Sequence, residues 1–247
     1  MTLTERYGLL RSWLMYYAKP FNRSKLKYFY SQFVKPGDLV FDIGAHLGNR
    51  SRAFLDLEAK VIAVEPQPHC IQYLRSKYAH DLRFSLVEKI IGKEEGVTDF
   101  KISADSPTIS TARGEDWSAG INRYSRIPAR WASTISVPVT TLDALIKSYG
   151  LPSFCKVDVE GFEWEVVQGL NYALPVLSLE YLAFDRDRMI LCMEKLVSLG
   201  MSHCNFSKGE SQRWYWQEWK ETDTVINILK QDKFAERFGD FYFKRAM

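Results

Sequence analysis

The 247-residue chain lacks any uncharged apolar run of the roughly 18 residues that a membrane-spanning helix needs. It also lacks a signal-peptide pattern, because Glu5, Arg6 and Arg11 interrupt any apolar stretch at the start. A cytoplasmic location is therefore the default expectation. Cysteine is scarce: Cys70, Cys155, Cys192 and Cys204 form no CxxC pair and match no zinc spacing. They are expected to be reduced, with Cys155 in the core. No charge sign dominates, since 33 basic residues against 30 acidic ones leave only +3, too little to argue for a nucleic-acid partner. Repeats and low-complexity linkers are absent as well.

What is present is enough apolar sequence, 46% of the chain, to bury a sizeable core. From about residue 38, short apolar runs alternate with helical patterns. LVFDIG (39–44), KVIAVEP (60–66) and LRFSLVEKIIG (82–92) read as strands, separated by RSRAFLDL and HCIQYLRSKY at helical spacing. Such units imply a parallel sheet with right-handed crossovers. A second set follows: FCKVDVEG (154–161) and PVLSLEYLAF (175–184) as strands, FEWEVVQGL between them and RDRMILCMEKLVSLG after them as helices. SHCNFS and GDFYFK are expected to close the sheet as an antiparallel edge hairpin. Residues 1–35 read as a helical extension rich in aromatics, including Trp13, Tyr16, Tyr17, Tyr28, Phe29 and Tyr30. Residues 36–247 form the main domain. Within it, residues 104–134 have weak periodicity and read as an insertion facing substrate.

The turn Asp42-Ile43-Gly44-Ala45-His46-Leu47-Gly48 follows a strand and opens a helix, the place where open α/β sheets bind ligands. Gly44 and Gly48 allow close approach of the backbone. A dinucleotide site requires GxGxxG around a pyrophosphate. This turn has GAxxG, and the carboxylate of Asp42 would repel a pyrophosphate, whereas it suits the cationic amino-acid end of S-adenosylmethionine. Glu65, at the end of the next strand, is placed to accept hydrogen bonds from both ribose hydroxyls. Taken alone, Glu65 supports a nucleoside without choosing between the two.

FDIGAHLGNRS, VIAVEPQP and KVDVEGFEWEVVQGL, in that order, resemble the FkbM family of S-adenosylmethionine-dependent methyltransferases. The similarity extends to VPVTTLDALI and GDFYF and covers roughly residues 36 to 245. The family often has Asn at the position of His46. The resemblance implies an α/β, Rossmann-like class I methyltransferase fold. Its sheet would be seven-stranded and mostly parallel, with an antiparallel last strand and helices on both faces. It implies that Asp42, Gly44, Ala45, His46 and Gly48 cradle the methionine portion, that Glu65 and Pro66 meet the ribose, and that Glu88 lies beside the adenine.

Methyl transfer to a hydroxyl needs positioning and removal of a proton. Lys156, Asp158 and Glu160 alternate with valines, and three charges on one face of a central parallel strand call for an explanation. One reading is an internal Lys156–Asp158 ion pair with a solvated Glu160. The other places Asp158 near the donor, Glu160 toward the acceptor, and Lys156 orienting a carboxylate. Glu180, on the neighbouring strand, joins them in one cleft. These carboxylates could also take a divalent cation, but no His joins them in sequence and no metal is assigned. His46 is read first as a turn residue. WYWQEW (214–219) suits either core packing or stacking on a sugar, and Arg113, Arg123, Arg126 and Arg130 either grip an acidic acceptor or form a solvated basic loop. The leading expectation is O-methylation of a small molecule, glycan or lipid-linked sugar. The alternatives are an NAD-linked sugar-modifying oxidoreductase or epimerase and a non-catalytic module that binds the methyl donor.

Overall fold

The computed structural model describes residues 21–103, 109–124 and 131–245. Trp13, Tyr16 and Tyr17 of the expected helical extension lie outside them. Its described part holds α1 (Asn22–Tyr30). The strand–helix alternation then runs β1 (Leu39–Ile43), α2 (Asn49–Asp56), β2 (Lys60–Val64), α3 (Pro68–Tyr78) and β3 (Phe84–Val87). After β4 (Ile90–Ile91), β5 (Gly96–Ser103), α4 (Glu115–Tyr124), β6 (Trp131–Thr140) and α5 (Leu142–Tyr149), it resumes with β7 (Phe154–Val157), α6 (Glu163–Gln168), β8 (Val176–Leu182) and α7 (Arg186–Ser198). The chain ends with β9 (His203–Lys208), β10 (Lys220–Glu221), α8 (Thr222–Lys230) and β11 (Phe238–Lys244). No helix among the described residues is long and apolar enough to cross a membrane.

The main sheet has the order β10-β9-β11-β8-β7-β1-β2-β3. The five strands from β8 to β3 are parallel. The sheet has eight strands where seven were expected, the extra one being the two-residue β10. β9 and β11 do pair antiparallel, but not as an edge hairpin: β11 inserts between β8 and β9. Its residues explain the placement. Phe241 and Phe243 face one core and Tyr242 the other, all essentially without exposure, so the strand needs protein on both faces and pairing on both edges.

Alternation along the strands separates the two cores. Phe41, Ile43, Cys155, Val157, Leu177 and Leu179 meet α5 to α8. Val40, Val61, Ala63, Phe154 and Tyr242 meet α1 to α3. All four cysteines are buried and unpaired. LRFSLVEKIIG is not one strand but two. The charged pair Glu88-Lys89 interrupts it, and β4 leaves to pair with β6 in a second sheet, β4-β6-β5. FCKVDVEG is also shorter as a strand than expected, because Glu160 (φ 53°) and Gly161 (φ 93°) turn the chain after β7. The stretch expected to be irregular contains α4 and the start of β6, so the second sheet flanks it on both sides.

Candidate active site

The turn after β1 is built against the end of β7. Asp158 N donates to Ile43 O (3.0 Å). Gly44 has φ +80°, and a Cβ there would stand 1.8 Å from the Asp158 carbonyl oxygen. Only glycine fits, and the neighbour that requires it is protein backbone. Gly48 (φ +71°) is closed in by Leu74, and the Tyr78 hydroxyl donates to its carbonyl (2.9 Å). The amides of Gly44 and Ala45 both donate to Val64 O.

Glu65 is 1% exposed, yet it lines the cleft. Its Oε2 accepts from His46 N (2.7 Å) and its Oε1 from Gln67 N (2.8 Å). Burial raises the carboxyl to about 7, although these amides pull it down. Each oxygen keeps a lone pair for a further donor. Asp42 lies beneath the turn on the α2 side, where it accepts from Ser51 Oγ (2.5 Å), and burial raises it too. It supports the turn and does not line the cleft. His46 does line the cleft, and burial lowers it to about 4, so its ring is neutral at physiological pH.

The cleft spans about 630 Å³, part of it open to solvent. It is lined by Gly44, His46, Glu65, Pro66 and Asp158 around the main sheet, and by Ile90, Ile91, Phe100, Ser110 and Ala112 from the second sheet and the segment after it. Glu88 is not brought into this cleft. It pairs with Arg75 on α3 and lines a separate surface depression.

At the other end, Asp158, Glu160 and Glu180 bring carboxylate oxygens within 4.8 Å of one another. Lys156, 1% exposed, donates to Asp158 (3.0 Å) and approaches Asp240 of β11 (3.4 Å). Burial alone would raise Asp158; the Lys156 and Arg50 charges outweigh it and hold the carboxyl below its ordinary range. Burial and the neighbouring carboxylates push Glu160 and Glu180 well above theirs. Within the cluster Asp158 is thus biased toward the ionised form and the two glutamates toward the protonated one. Sequence reasoning missed Glu163 and Asp240. Glu163 Oε1 accepts from Val159 N (3.1 Å) and Gly161 N (3.4 Å), and burial raises it to about 7.

Other expected residues lie elsewhere. Trp214 packs on Phe29 and Tyr242 (centroids 5.0 and 5.1 Å) and Trp219 on Trp214, so these two rings seat α1 on the sheet, while Tyr215 and Trp216 pack on Phe234; none of the four lines the cleft. Arg113 pairs with Asp185 (2.7 Å), largely buried. Arg126 and Arg130 lie outside the described residues, as does the side chain of Arg123.

The model of the methyltransferase FkbM domain matches residues 42–232. No curated protein sequence matches the chain. Among solved structures, a TehB-like S-adenosylmethionine-dependent methyltransferase from Corynebacterium glutamicum shares 10% identity, with 98% of each chain covered and a TM-score of 0.53. Fibrillarin from Aeropyrum pernix, in complex with S-adenosyl-L-methionine, shares 9% identity over 85% of this chain and 68% of that one (TM-score 0.45). The first of these has the same fold as this chain.

Proposed function

We propose a function from one premise: the chain belongs to the methyltransferase FkbM domain family and uses S-adenosylmethionine as its methyl donor. The acceptor we assign is a hydroxyl group of a sugar, glycan or related small molecule. With the family established, the NAD-linked reading has no remaining support.

The donor fits the residues present. Glu65 has lone pairs left for two vicinal hydroxyls, and Pro66 and Gln67 follow it along the wall. Ile90, Ile91 and Phe100 offer an apolar face for a flat base. Gly44, Ala45 and His46 shape the turn toward Asp158, whose negative charge suits the cationic end of the donor. When bound, the donor supplies an electrophilic methyl group on a positively charged sulfur.

The convergence of Asp158 and Glu160, which line the cleft, with Glu180, which lines a second pocket beside Trp117 and Glu163, carries the acceptor assignment. A hydroxyl oxygen that forms a bond to the methyl carbon must shed its proton, and an ionised carboxylate beside protonated ones can take it. Lys156 keeps Asp158 ionised and oriented. Glu160 and Glu180, when protonated, can donate hydrogen bonds to other hydroxyls of a polyol.

Calorimetry with S-adenosylhomocysteine tests the premise; no binding at millimolar concentration would sink it. Transfer of tritium from methyl-labelled donor to a panel of glycosides and amines tests the acceptor. Labelled ether products are expected with the glycosides. Label on amines alone would overturn the hydroxyl assignment.

A further inference from the structure

We propose that Thr111 is a positioning residue: its hydroxyl, by holding the Glu160 carbonyl, fixes the turn that aims the Glu160 carboxylate at Asp158 and Glu180. The inference rests on the reading that this carboxylate cluster receives the acceptor's proton.

Glu160 is a non-glycine residue at φ +53°. Such a conformation persists where the surroundings over-determine it. Three groups hold this turn: Glu163, Thr111 and Arg113, the last donating from Nη1 to Gly161 O (3.4 Å). From within it, Glu163 accepts from Val159 N and Gly161 N. From outside, Thr111 Oγ1 donates to Glu160 O at 2.7 Å. That hydroxyl is itself oriented, since Arg113 N donates to Thr111 Oγ1 (3.0 Å), which leaves the proton for Glu160. Thr111 is fully buried, and its backbone exchanges two hydrogen bonds with Lys101 of β5 (2.8 and 3.0 Å). The hydroxyl thus comes from a pinned segment, not a free loop. The same segment braces the next residue: a Cβ on Gly161 would stand 2.4 Å from the Trp117 ring.

Thr111 also joins the two ends of the cleft. Its neighbours Ser110 and Ala112 line the same cleft as Glu65, while Thr111 reaches the carboxylate turn. The groups acting on the Glu160 carboxyl are Asp158, Glu163, Glu180 and Lys156, all placed by that turn or the strands beside it.

The test uses the full chain with ¹³C-labelled Asp and Glu side chains, comparing Thr111→Val, Thr111→Ala and Thr111→Ser. Carboxyl titrations followed by NMR are the readout, and calorimetry with S-adenosylhomocysteine serves as the folding control. The Val and Ala variants are expected to release the turn, so that the Glu160 and Glu180 titrations fall by about one pH unit or more as the cluster disperses. Ser restores the hydroxyl and the wild-type titrations. If a Val or Ala variant that still binds S-adenosylhomocysteine shows wild-type titrations, Thr111 is mere packing and the proposal falls. The same holds if Ser fails to restore them. Failure of the wild-type chain to bind S-adenosylhomocysteine would instead refute the methyltransferase reading, whatever the titrations show.

Discussion

The two ends of the cleft handle buried acid in opposite ways. At the Glu65 end, the carboxylate is served by neutral donors, two backbone amides, and Asp42 beneath the turn likewise accepts from the Ser51 hydroxyl. At the Asp158 end, Asp158, Glu160 and Glu180 crowd one another, and buried Lys156 pairs with Asp158. The first arrangement is complete before any ligand arrives and suits recognition. The second crowds like groups so that their proton affinities are driven apart, a costly arrangement that suits proton transfer.

The largest effect is expected at the crowded end. Asp158→Asn removes the ionised member and should lower turnover about 10²- to 10⁴-fold, with S-adenosylhomocysteine affinity falling by far less. Equal losses in both would erase the distinction between the ends. Gly44→Ala strikes where the ends touch, because its Cβ would overlap the Asp158 carbonyl. Chemical denaturation should show a loss on the order of 3 kcal/mol or more. An unchanged midpoint would mean that the two ends are not packed as one unit.

Glu65→Gln sharpens the comparison from the other side. Losing a charged hydrogen-bond acceptor should weaken S-adenosylhomocysteine roughly 10- to 100-fold in calorimetry, with turnover at saturating donor changing little. It also has a pH signature. Burial raises Glu65 from 4.5 to about 7, so between these values the folded chain keeps a proton that the unfolded chain has lost. Stability therefore declines as pH rises through that window, and Glu65→Gln should flatten this part of the denaturation profile. The smallest effect is expected for Glu88→Gln. It removes only an ion pair with exposed Arg75, worth about 0–1 kcal/mol, and should leave calorimetric binding of S-adenosylhomocysteine unaltered.

Most of the parallel sheet was legible in the sequence because apolar runs alternated with helical spacing. The exceptions have local causes. Ile90 and Ile91 looked continuous with Phe84–Val87, yet the Glu88-Lys89 break sends them to another sheet. The family resemblance placed Glu88 beside the adenine, whereas here it pairs with Arg75 and lines a separate depression. The alternation of Lys156, Asp158 and Glu160 did point to one cluster, although β7 ends at Val157 and a left-handed turn, not strand pleating, delivers Glu160. Glu163 and Asp240 escaped notice because a glutamate opening a helix and an aspartate in a late aromatic strand look ordinary. What marks them is contact with groups distant along the chain: Lys156 meets Asp240 across 84 positions. The glycine turn was legible for a reason that proved incomplete, since Gly44 is also required by the Asp158 backbone.

The insertion of β11 between β8 and β9 sets an order of assembly. A strand late in sequence occupies an interior slot, so the β9–β10 pair has no link to the five parallel strands until β11 docks. During synthesis the five parallel strands can associate first, while the β9 edge waits with unpaired backbone groups. Such distant pairing slows folding, and the waiting edge is where a nascent chain of this protein is most exposed to mispairing and to capture by chaperones.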